Sequence, residues 1–138
     1  MYKDLNLSQF FSSVQNIAIL GAKDKAGHPV HEVGQYLIQA GFKIFPVHPK
    51  RQNVWGLSTY QNLLQIPEPV HVVNLFRASE YCEQHARETL QLDPLPSAFW
   101  MQQGIHSPQA RKILEPYGIF ILEDTCIMLR HRETTGTV

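Results

Sequence analysis

Apolar residues recur along the chain in two alternating periods. Leu7, Phe10, Phe11 and Val14 repeat at i, i+3, i+4 and i+7, which predicts an amphipathic helix over residues 4 to 14. Residues 16 to 21, Asn-Ile-Ala-Ile-Leu-Gly, then form a nearly unbroken apolar run, as in a strand covered on both faces. A polar loop, 23 to 28, leads to Pro29, and Val30, Val33, Gly34, Leu37 and Ala40 return to helical spacing until Gly41. The run 42 to 47 follows at once, so this segment reads as a strand, a crossover helix and a second strand.

The alternation continues. Strands are predicted at 70 to 76, 98 to 101 and 119 to 122, with a helix from about 79 to 90 and another opened by Ser107-Pro108 and stopped near Pro116 and Gly118. Residues 52 to 69 read as a connector with a short helix near 60 to 64, and the polar tail 130 to 138 reads as frayed. The expectation is one α/β domain, Rossmann-like and doubly wound, with a mainly parallel five-stranded sheet and helices on both faces. At 138 residues the chain suffices for one such core.

Charge narrows the partners. Twelve basic and twelve acidic side chains balance, so no global field favours a nucleic acid backbone or an anionic membrane, and any anion site must be local. Neither a long apolar run nor a signal peptide opens the chain, and the two cysteines, Cys82 and Cys126, lack CxxC spacing, so a reduced cytoplasmic protein is expected. The seven histidines form no HExxH or Cys/His ligand set, so no metal is expected. No G-x-S-x-G elbow occurs and Cys126 reads as a buried, inert thiol, so nothing requires a catalytic residue.

Ligands of open parallel sheets bind beyond the carboxyl ends of the strands. Four stretches are predicted to converge there: Gly21-Ala22-Lys23-Asp24, His48-Pro49-Lys50-Arg51, Phe76-Arg77 and Gln102-Gln103-Gly104. The first precedes a helix start and suits a phosphate, although it matches neither common glycine-rich motif. The second lacks the acid that binds a ribose hydroxyl in NAD sites and carries cations instead, which favours an adenosine bearing an additional phosphate. Arg77 leaves a buried strand with a permanent charge that a phosphate or a structural carboxylate must satisfy. Phe76 and Trp100-Met101 read first as core.

Together, Ile17 to Ala22, Val33 to Phe42, Phe45-Pro-Val-His-Pro49, Val72 to Arg77, Trp100-Met-Gln-Gln-Gly-Ile105 and Asp124-Thr-Cys126 resemble the small stand-alone CoA-binding protein family. The resemblance runs from about residue 16 to 131. That family is related in fold to the CoA-binding domain of succinyl-CoA synthetase α-subunits. The resemblance implies coenzyme A at the carboxyl edge, with Gly21, Ala22 and Lys23 as phosphate loop, Pro29-Val30 as the facing helix start, and Pro46, His48, Pro49 and Lys50 around the adenosine and its phosphate. Lys23 stands where the family commonly has Ser, and Val47-His48-Pro49 where it has Val-Asn-Pro. The synthetases also use a domain carrying a phosphorylated histidine, for which this chain has no residues, so no ligase activity is expected. The leading expectation is a non-catalytic or regulatory protein that binds CoA or acyl-CoA, with no nucleic acid or membrane partner and any protein partner unassigned. An NADP-type oxidoreductase fragment and an interaction protein with a degenerate nucleotide pocket stay open beside it.

Overall fold

The computed structural model describes residues 6–136. In β1 (Asn16–Leu20) every residue is buried, as its unbroken apolar run requires. Pro29 occupies the first turn of α2 (Pro29–Gln39), where no helical N–H is lost, and the chain turns at Gly41 into β2 (Lys43–Val47). Further along lie β3 (Val72–Leu75), α3 (Cys82–Thr89), β4 (Ala98–Met101), α4 (Pro108–Leu114) and β5 (Phe120–Leu122), flanked by α1 (Leu7–Ser13) and α5 (Ile127–Thr135). The five strands follow the order β2-β1-β3-β4-β5 and every pair is parallel. The fold is thus Rossmann-like and doubly wound, with a wholly parallel sheet.

Strand parity sorts the core into two layers, because alternate side chains leave opposite faces of a strand. Ile17, Ile19, Val72 and Trp100 pack with Phe10, Phe11, Val33, Leu37 and Ile127, which puts α1, α2 and α5 on one face. Ala18, Leu20, Val73, Leu75, Phe99 and Met101 pack with Cys82, Ala86, Ala110 and Leu114, which puts α3 and α4 on the other. The chain moves from β1 to β2 in one direction and reaches β3 in the other, so the switch point lies between the carboxyl ends of β1 and β3.

Three expectations are corrected. The first helix begins at Leu7, where the Asn6 side chain accepts from the Gln9 amide at 3.1 Å, and residues 4 and 5 lie outside the described ones. The connector has no helix at 60 to 64; Tyr60 pairs along the outer edge of β2, exchanging bonds with Pro46 and His48, and a single 3-10 turn follows at Leu63–Gln65. That pairing covers an otherwise open sheet edge. Residues 130 to 135, expected to fray, belong to α5; residues 137 and 138 lie outside the described ones. The polar tail hides an inward face: the His131 ring packs edge-on against Phe11 and Phe42, 5.0 and 5.2 Å between centroids, and its Nδ1 lies 2.6 Å from the Tyr36 hydroxyl. Gly136, at positive φ, ends the helix.

Candidate functional site

The loop after β1 is fixed by one glycine. Gly21 has φ +82°, and a Cβ there would run into the Phe76 carbonyl, so only glycine allows β1 and β3 to part this closely. Gly21 and Ala22 both donate their amides to the Val47 carbonyl, at 3.0 and 3.2 Å. The expected phosphate loop is therefore shifted. Gly21 and Ala22 brace it, whereas the amides of Lys23 to Gly27 and of Val30 find no backbone acceptor among the described residues and stay available at the start of α2. Pro29 opens that helix, and the buried Val30 side chain anchors its first turn.

A strap holds this loop from outside. Trp55, itself at φ +54°, donates its amide to Asp24 Oδ2 at 3.4 Å and its indole Nε1–H to His31 Nδ1 at 3.1 Å. Its ring lies on Gly34 of α2, where any side chain would displace it.

At the end of β2, the His48 ring builds the turn: its Nδ1 accepts from the amides of Lys50 and Arg51, at 3.0 and 3.1 Å. An imidazole lone pair here does what an Asn carbonyl does in an Asx turn. Burial, and then repulsion from Arg51, Arg77, Lys23 and Lys50, hold the His48 ring below the usual histidine pKa. None of these four cations has a carboxylate within ion-pair distance among the described residues. Pro46 is buried within β2, one residue short of the edge, whereas Pro49 reaches the cleft.

Phe76 and Arg77 diverge at the end of β3. Phe76 packs against the α2 layer, and Arg77 turns to the α3 side, its guanidinium 4.3 Å from the Tyr81 ring centroid. The structural carboxylate weighed for Arg77 is not there; its Nε is buried without a hydrogen-bond partner. The stretch after β4 holds α5 in place. Gln102 Oε1 accepts from the Ile127 amide at 3.0 Å and the Gly104 amide donates to Asp124 Oδ1 at 2.6 Å, so the polar groups predicted for a ligand there serve a helix entrance. Cys126 is not the buried thiol; it is half-exposed and precedes α5, while burial of Cys82 pushes that thiol up to about 11.

Two clefts flank the Gly21–Phe76 contact. One, of about 180 Å³, lies on the α3 side and is lined by Gly21, Val47, Pro49, Arg77 and His85 among others. The other, of about 390 Å³, lies between α2 and α5 and is lined by Pro29, Phe76, Gln102 and Cys126 among others. A polar hollow of about 370 Å³ continues from Pro49 over Lys50 and Arg51. The predicted residues after β1, β2 and β3 therefore do meet at the switch point. Sequence reasoning missed His85, Gln61 and Trp55: the first sits on a helix face that only packing reveals, and the others arrive through the irregular connector.

The model of a family described as CoA binding domain matches residues 15–132. YneT of Bacillus subtilis is 30% identical over 128 residues, which is 93% of each chain. A solved Thermus thermophilus structure is 33% identical with a TM-score of 0.86, covering 93% of this chain and 96% of its own. A hypothetical protein from Pyrococcus horikoshii is 25% identical with a TM-score of 0.89, covering 96% of this chain and 94% of its own.

Proposed function

The chain belongs to the CoA binding domain family, and from that premise we propose that it binds coenzyme A or an acyl-CoA across the switch point, as a non-catalytic or regulatory protein. The observation that carries this reading is the meeting of Gly21, Pro49 and Arg77 in one cleft that continues over Lys50 and Arg51, with no ion pair on any of these cations among the described residues. Lys and Arg side chains without ion pairs, beside unbonded amides ahead of a helix, suit phosphorylated ligands. The diphosphate would lie on the amides of Lys23 to Gly27 and at the start of α2. Lys50 and Arg51 would take the adenosine phosphate in the polar hollow, and the base would enter the smaller cleft beside Pro49 and Arg77. The larger cleft, mostly apolar in its lining, suits the pantetheine arm.

A thermal-shift panel with CoA, dephospho-CoA, NADP and NAD at equal concentration tests this. Binding to the native state raises stability by RT ln(1 + [L]/Kd), about 2.7 kcal/mol at a hundredfold excess over Kd. CoA is expected to give the largest shift and dephospho-CoA a smaller one, because the phosphate contact is lost. A shift with NADP alone points to a nucleotide-dependent oxidoreductase, and a flat panel to a pocket that has lost its ligand; either result overturns the proposal.

A further inference from the structure

The larger cleft, between α2 and α5, contains a thiol that solvent reaches. Cys126 and Gln102 both line it, together with Val33, Phe76 and Leu129. The backbone around Cys126 is fixed on both sides. The Thr125 amide donates to the Met101 carbonyl at 3.3 Å, the Thr125 carbonyl accepts from Trp100 Nε1 at 2.7 Å, and the Ile127 amide donates to Gln102 Oε1 at 3.0 Å. The Cys126 side chain makes no cap bond to α5, so its sulfur is not engaged by the helix.

Gln102 is an independent sign of a ligand. Its side chain is buried, with the residue only 3% exposed. The Ile127 amide can only donate, so it selects Oε1 and leaves Nε2 as the free end of the carboxamide. Nε2 has no hydrogen-bond partner among the described residues, yet it stays open to solvent, unlike the orphaned amide of Asn74. A buried donor opening on a mostly apolar cleft is completed by a carbonyl oxygen. The pantetheine arm of CoA carries two amide carbonyls and ends in a thiol.

We propose that Cys126 is a thiol–disulfide exchange site, which takes CoA from CoA disulfide and holds it as a mixed disulfide at the end of the pantetheine arm. The Cys126 thiolate, its proton given to solvent, attacks one sulfur of CoA disulfide. An S–S bond forms to that sulfur, the old S–S bond breaks, and the second CoA leaves as a thiolate that takes a proton from solvent. Cys126 is oxidised and the departing CoA is reduced, so the step needs no other oxidant, and a free thiol reverses it. Leu129, 47% exposed, stands at the same cleft, which leaves the departing half a way into solvent. Cys82 does not compete, because it is fully buried and its thiol is pushed up to about 11. The place of the arm rests on the coenzyme A reading, and the test separates the two.

The intact, reduced chain would be treated with CoA disulfide or with bis(2-hydroxyethyl) disulfide and followed by mass spectrometry, each rate divided by that of the same disulfide with free cysteine. CoA disulfide is expected to gain about tenfold or more over the small disulfide, because binding raises its effective concentration beside the thiol. One CoA should attach per chain, peptide mapping should place it on Cys126, and dithiothreitol should release it. Adenosine 3′,5′-bisphosphate should slow the reaction of CoA disulfide alone, and Cys126→Ser should take up no CoA. Calorimetry of reduced CoA with the reduced wild type reads the coenzyme site separately. If CoA binds there but the two disulfides gain equally, or the adduct lies on Cys82, the exchange site is overturned and the coenzyme reading stands. If CoA does not bind and no gain appears, both are overturned.

Discussion

Histidines carry much of this molecule's local chemistry, each in a different way. His71 Nδ1 accepts the amides of Gln15 and Asn16 at the entrance to β1, His48 Nδ1 accepts two amides at the exit of β2, and His131 fills an aromatic niche. What a lone histidine in a sequence does not supply is its partner, which comes from 55 residues away in the case of Asn16 and His71. Burial holds His131 below the usual histidine pKa. Its folded form therefore binds a proton less readily than the unfolded chain, so its contribution is complete above about pH 6.5 and is lost as pH falls below that value. Around it stand the Tyr36 hydroxyl, two phenyl rings and, over the Tyr36 ring, Arg132. Urea unfolding between pH 7.5 and 5 is expected to show a shallower loss of stability in His131→Phe than in the wild type. Equal slopes would remove His131 as a contributor.

At the scale of elements, boundaries at Pro29, Gly41, Ser107 and Gly118 were legible because each has a local cause: a missing N–H, a positive φ, a side-chain cap. The Ser107 hydroxyl indeed accepts from the Ala110 amide at 3.1 Å. The last helix was not legible, since its causes are remote. Its entrance is held by Gln102, by the Thr125 carbonyl accepting from Trp100 Nε1 at 2.7 Å, and by Asp124 in a left-handed conformation. Nothing within 130 to 135 announces those bonds. Replacing Gln102 with Leu should leave the buried Ile127 amide without its acceptor and lower stability by about 1–3 kcal/mol. Chemical denaturation measures the loss, and hydrogen exchange should place the first opening in α5. Protection unchanged at Ile127 would show that another group holds the helix.

Over the whole molecule, a neutral net charge conceals a polar distribution: four cations stand without ion pairs at one rim, while Lys43, Arg87, Arg111 and Arg130 are paired with carboxylates elsewhere. Composition excluded a global field and could not reveal this local one, because β2, β3 and the loop after β1 bring the charges together only when the sheet forms. The parallel sheet with helices on both faces was implied by the alternation and by right-handed crossovers; the occupancy of the amides was not. Binding governed by that rim should weaken with salt. CoA affinity is expected to fall several-fold between 50 and 500 mM NaCl, with Arg77→Ala reducing both the affinity and its salt dependence. Calorimetry at several ionic strengths reads both. The two tryptophans differ in a way that such experiments can exploit. Trp100 is sealed inside the α2 layer, whereas Trp55 lies over Gly34 with its indole nitrogen on His31, at the strap that fastens the loop. Their emission thus divides into an inner signal that tracks unfolding and an outer one whose colour and intensity follow events at the mouth of the site, which makes the protein its own optical gauge once either indole is replaced by phenylalanine.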